Sequence, residues 1–101
     1  MKTYNKLVRD KIIEIIESKG GKAVFHIADE PEFLEKCIEK LSEEVAEFTE
    51  NPCQEELADI LEVIDALVIV KNWDMSDVLA VQKKKREERG GFEQRLILEE
   101  S

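Results

Sequence analysis

From Asp29 to Val70 apolar residues return at helical intervals, and the rhythm breaks once, at Asn51-Pro52. Two amphipathic helices joined by so tight a turn must lie antiparallel, so a helix hairpin organises the rest of the chain. The first helix opens on Asp29-Glu30-Pro31, an N-cap residue followed by proline in the first turn, and reaches about Glu50. The second runs from the Asn-Pro turn to about Trp73. A third long helix, capped by Asp74 or Ser76, extends to about Arg89, where Gly90-Gly91 stops it. Ahead of the hairpin, Leu7, Ile12, Ile15 and Ile16 recur near helical spacing until Gly20-Gly21 closes the segment. Two short stretches have strand character: Lys22 to Ala28, rich in β-branched and aromatic residues, and Phe92 to Leu98, which contains Leu-Ile-Leu. The expectation is a mainly all-α bundle of about four helices, with room for one short pair of strands, 23–27 against 94–98.

A chain of 101 residues makes one domain, 1–101. Its 43% hydrophobic content is enough for a core, yet a domain of this size buries only about two-thirds of its unfolded surface and gains from oligomerising. A homodimer or homotetramer is therefore expected. The net charge of −9 argues against a nucleic-acid polymer as partner, because displacing counterions needs a positive footprint. The longest apolar run, Ala66 to Val70, is five residues, far short of the roughly 18–20 of a membrane span. The opening MKTYNKLVRD has no apolar stretch of the secretory kind. Cys37 and Cys53 form no C-x-x-C and have no neighbouring histidine, so neither a zinc site nor a disulfide framework is indicated. A cytoplasmic location is expected.

The functional signal lies in acids on faces that should be apolar. On the first hairpin helix Phe33, Leu34, Cys37, Ile38, Leu41, Val45 and Phe48 span roughly 140° at about 100° per residue. Glu44 falls inside that arc, Glu47 just off its edge, and Glu43 a little further out on the same flank. On the second, Leu57, Ile60, Leu61, Val63, Ile64, Leu67, Val68 and Val70 define the apolar arc; Glu56 projects into it and Asp59 lies at its edge. Glu62 and Asp65 point the opposite way, as a solvated face or a contact with a partner subunit. Each helix thus aims an i, i+3 pair of acids at the core. Buried carboxylates must be protonated, paired with bases or bound to cations. Lys40, at an arc edge, is the one base on these faces, and an all-oxygen ligand set suits Mg²⁺, Mn²⁺ or Ca²⁺. The single histidine, His26, lies outside every expected helix, against a Glu-x-x-His di-iron bundle.

Glu43-Glu44-Val45-Ala46-Glu47 reads as E-E-x-x-E, and Glu56-Leu57-Ala58-Asp59, followed by Ile-Leu, reads as E-x-x-D. Together they resemble the MazG-like, all-α nucleoside triphosphate pyrophosphatases and the related phosphoribosyl-ATP pyrophosphohydrolases. Tyr4 to Ile12 (YNKLVRDKI), Glu55 to Leu67 (EELADILEVIDAL) and Arg89-Gly90-Gly91-Phe92 resemble a compact phosphoribosyl-ATP pyrophosphohydrolase-like subgroup, so that the likeness covers essentially the whole chain. Eight residues separate Glu47 from Glu56, a shorter connection than that family commonly has. Counting to Glu62 gives a more usual interval, but the helical wheel and the E-L-A-D match favour Glu56 and Asp59.

What the resemblance implies is hydrolysis of a nucleoside triphosphate, or a related pyrophosphate compound, to a monophosphate and pyrophosphate, in nucleotide housecleaning. Carried over by motif, Glu44, Glu47, Glu56 and Asp59 would ligate Mg²⁺, with Mn²⁺ as substitute. Glu43, Glu44 and Glu47 would form the catalytic motif, with Glu43 an additional ligand or the group that orients the water. Phosphate charge also calls for protein cations, and two groups qualify: Lys6, Arg9 and Lys11 near the start, and Lys83 to Arg86 with Arg89 near the end. Lys6, Arg9, Lys85, Arg86 and Arg89 are the candidates. The alternative to an enzyme is a non-catalytic helical module that senses nucleotide or binds a protein partner through a degenerate metal site.

Overall fold

The structure, a computed structural model, describes residues 2–101. It is all-α: α1 Ile12–Ser18, α2 Glu30–Glu50, α3 Gln54–Val70 and α4 Met75–Arg89. The helix ends are set by local chemistry. The Asp29 carboxylate accepts a hydrogen bond from the Glu32 amide at 3.0 Å, with Pro31 in the first turn of α2. Asp74 caps α4, accepting from the Ser76 amide at 3.0 Å and the Ser76 hydroxyl at 2.8 Å.

Three of the four helices end within two residues of a positive φ, whereas α2 ends on Asn51 at φ −141°. Asn72 has φ 57°, and its amide bonds back to the Ile69 carbonyl while Trp73 bonds back to Val68, both at 3.0 Å. This ends α3 at Val70, three residues before the expected Trp73. Gly20 and Gly90, each at φ 83°, do the same for α1 and α4. Gly90 is therefore a helix terminator.

α2 and α3, about 31 and 26 Å long at 1.5 Å per residue, are joined through Asn51, Pro52 and Cys53 and pack along each other as the expected hairpin. α1 and α4 make only marginal contact with other helices. The core is correspondingly small: Cys37, Val63 and Val68 are its buried apolar side chains. With a radius of gyration of 17.8 Å the chain is far more extended than the roughly 13 Å of a compact domain of this length.

Three expectations are corrected. No strand forms among the described residues; 23–27 and 94–98 are irregular, with Val24, Phe25, Ile27, Leu96, Ile97 and Leu98 largely exposed. Two lone strands with no sheet or helix to cover one face cannot hold themselves together. Leu7 lies outside α1, in an irregular segment that precedes it. Trp73, the expected end of the second hairpin helix, lies beyond α3 and is exposed, with the Lys71 ammonium 5.5 Å from its ring centroid.

Candidate metal centre

The hairpin turn brings the two acidic pairs together within about two helical turns of the connection. Two groups of carboxylates have ligand oxygens within 4.8 Å of one another: Glu43, Glu44 and Glu47 along α2, and Glu44, Glu56 and Asp59 across the two helices. That spacing matches oxygens around a cation at 2.1–2.5 Å, which are about 4–5 Å apart when on opposite sides. Glu44 belongs to both groups. Among the described residues it is the one buried charged side chain, 6% exposed, placed by the apolar stripe that also buries Cys37. Glu56 and Asp59 are half-buried and Glu47 is exposed, whereas Glu62 and Asp65 lie on the solvent side. Of the two E-x-x-D readings, it is Glu56 with Asp59 that joins Glu44.

Three cations meet these acids. Lys40 Nζ is 3.2 Å from Glu44 Oε1 and 3.5 Å from Glu43. Lys6 donates to Glu43 at 3.2 Å, and Arg9 donates to Asp59 at 2.7 Å with its other terminal nitrogen 3.8 Å from Glu62. Two oxygens stay unsatisfied: Glu44 Oε2 and Glu56 Oε2 are buried with no hydrogen-bond partner. An orphaned buried acceptor costs about 1–3 kcal/mol. A hard divalent cation would satisfy both, and an all-carboxylate donor set fits such an ion.

The charges bias the carboxyls in opposite directions. Burial pushes Glu44 above its ordinary 4.5; the hydrogen bond and charge of Lys40 pull the other way, and the Glu47 carboxylate beside it adds to the rise. For Glu43 burial also pushes upward, but Lys6 and Lys40 outweigh it and hold the carboxyl low. Glu44 therefore contributes stability that is full below 4.5 and is lost as pH climbs through its raised value. Glu43 contributes stability that is present above 4.5 and is lost as pH falls through its lowered value. In chelated buffer, the melting midpoint of Glu44→Gln should rise relative to the native chain as pH increases from about 4 to 7. A midpoint difference that stays constant over that range would contradict the assignment.

The second basic group does not reach this site. Among the described residues no ion pair links Lys85, Arg86 or Arg89 to its carboxylates, and Arg86 pairs with Glu93 instead. His26 is likewise elsewhere, its Nε2 2.9 Å from both carboxylate oxygens of Glu32. Of the four acids the wheel aimed at the core, Glu44 is buried and Glu56 and Asp59 are half-buried, but Glu47 is exposed; nor did the wheel give Lys6 and Arg9 as counter-ions. Those partners lie 37 and 50 residues away in sequence, and the only hint was their charge in an otherwise acidic chain. Comparison of the chain with protein-family models, with curated proteins and with solved structures finds no match in any of the three.

Proposed function

We propose that the chain is a Mg²⁺-dependent nucleoside triphosphate pyrophosphohydrolase of the MazG-like kind, releasing pyrophosphate from a triphosphate or related compound. The observation that carries the reading is the meeting of Glu44, Glu56 and Asp59 across the hairpin, with two buried oxygens left unsatisfied. Glu44, Glu47, Glu56 and Asp59 would hold the metal, with Glu43 as a further ligand or as the group that orients the water. When bound, the metal supplies charge neutralisation at phosphate oxygens and a water of lowered pKa. The chain itself contributes Lys6 and Arg9, the two cations of the candidate phosphate set that lie at these carboxylates. Their position makes them the phosphate-facing pair in this reading.

The test is pyrophosphate release from a panel of triphosphates, ordinary and modified, with Mg²⁺ or Mn²⁺, alongside thermal unfolding with the same metals. At a hundred times its Kd, a metal that binds only the folded chain adds about 2.7 kcal/mol, raising the midpoint by about 10–20 °C in a domain of this size. Release of no pyrophosphate from any triphosphate would refute the activity. A second reading, a non-catalytic nucleotide-sensing or protein-binding module, is favoured by one observation: Lys6, Arg9 and Lys40 already pair with the acids. It expects a metal or nucleotide shift without turnover, or no shift at all.

We also propose that the working form is a homodimer or homotetramer. The chain exposes 9245 Å², against roughly 5,900 Å² for a compact protein of 11.7 kDa. The surplus exceeds one partner's share of a standard interface, about 800 Å². Much of it is apolar: Leu57, Leu61 and Ile69 on α3 and Leu79 and Val81 on α4 are all about half exposed or more. No helix of the described residues is long and apolar enough to cross a membrane, so these side chains call for a protein surface as cover.

A further inference from the structure

The segment 2–11 that precedes α1 has no regular structure. Three ion pairs tie it to the hairpin: a 3.8 Å pair from Arg9 to Glu62, outside the acid cluster, and two at the cluster itself, Lys6 to Glu43 and Arg9 to Asp59. Both partners are carboxylates that a metal would claim, and both cations are well exposed, so solvent and ligands reach them. We propose that this segment is a charge-exchange strap. Lys6 and Arg9 hold the acids in the metal-free state; a divalent cation displaces them, and they then take the oxygens of a polyphosphate bound at the same metal. The proposal rests on the metal-centre reading and adds a sequence of occupancy to it.

Three features support an exchange over a fixed brace. The strap has no helix or strand of its own to hold the cations in place. The buried oxygens at the heart of the cluster, Glu44 Oε2 and Glu56 Oε2, receive nothing from Lys6 or Arg9, so the strap compensates the rim and leaves the centre to another cation. The Lys6 ammonium lies 5.5 Å from the Tyr4 ring centroid while it pairs with Glu43, so a contact within the strap itself stays with it when that pair breaks.

Exchange predicts effects of opposite sign, which a merely structural role cannot give. Binding of Mn²⁺ alone, and of inorganic tripolyphosphate at saturating Mn²⁺, is measured on the full chain by calorimetry. Arg9→Gln should tighten Mn²⁺ binding by about two- to fivefold, the worth of a partly exposed ion pair, and weaken tripolyphosphate by roughly tenfold. Lys6→Gln should behave alike and Arg9→Lys should stay close to the native chain. Lys11→Gln, which removes the same charge from a residue that makes no ion pair with the acid cluster among the described residues, controls for the general field and should shift neither by as much. Arg9→Gln weakening both ligands would make Arg9 a brace for the metal ligands and overturn the exchange. Changes in neither, or equal changes in Lys11→Gln, would overturn it as well. Should Arg9→Gln not fold, Lys6→Gln and Arg9→Lys decide the question. A native chain that binds no Mn²⁺, with variants that bind none either, would instead remove the metal-centre reading beneath the proposal.

Discussion

Glu56→Gln and Asp59→Asn, together, are expected to lower pyrophosphate release by a factor of about 10² to 10³, since ligands to a catalytic cation support several kcal/mol of charge stabilisation. The folded chain should survive the change. Glu56 has a buried oxygen with no donor and Asp59 spends its charge on a half-exposed arginine. Loss of those charges removes repulsion against Glu44, so the metal-free melting midpoint should hold or rise, while the midpoint gain on adding Mn²⁺ should disappear. Glu62→Gln with Asp65→Asn, the outward pair, should change neither turnover nor the Mn²⁺ response by comparable amounts. Equal losses from the two pairs would dissociate the activity from the inward acids and favour the non-catalytic module.

Leu61→Glu should break the assembly. The residue is 57% exposed on α3, one turn from the similarly exposed Leu57. In the proposed assembly a carboxylate there would have to enter an apolar interface. The native chain is expected to scatter light as two or four times 11.7 kDa, with a midpoint that rises with protein concentration. The variant should scatter as one chain and unfold broadly, because its own buried apolar core consists of Cys37, Val63 and Val68. A native chain that is monomeric at micromolar concentration and melts at a concentration-independent temperature would overturn the oligomer proposal.

The helices were legible because their signals are local. Asp29 with Pro31, Asp74 with Ser76, and Gly90 act within one turn of themselves, and each sets a boundary where expected. Glu44 was legible because an apolar stripe fixes the azimuth of every residue along it, polar ones included. What local signals cannot carry is company. The stretch at Ala23–Ile27 has the composition of a strand and no sheet to join, so composition alone overstated it. Asn72 could have been read as a stop, since asparagine enters the left-handed region more readily than most residues, and it outweighed the helical pattern that continued to Trp73. The basic run at the end of α4 had charge without position: Arg86 turned to Glu93, while Lys6 and Arg9, less conspicuous in sequence, reached the carboxylates.

The connection Asn51 to Cys53 has a consequence for the order of events during folding. A loop of about ten residues closes in roughly 10–100 ns, whereas longer closures are slower and entropically dearer. Glu47 and Glu56 are separated by eight residues, yet Lys6 must find Glu43 across 37 positions and Arg9 must find Asp59 across 50. Lys40, on α2 itself, is the only neutralising charge present when the hairpin first closes. The acids therefore converge before their distant counter-ions arrive, and their mutual repulsion acts as a brake on collapse. An ion from solution can reach them without waiting for those long closures by Lys6 and Arg9, so the hairpin is expected to close faster when a divalent cation is present.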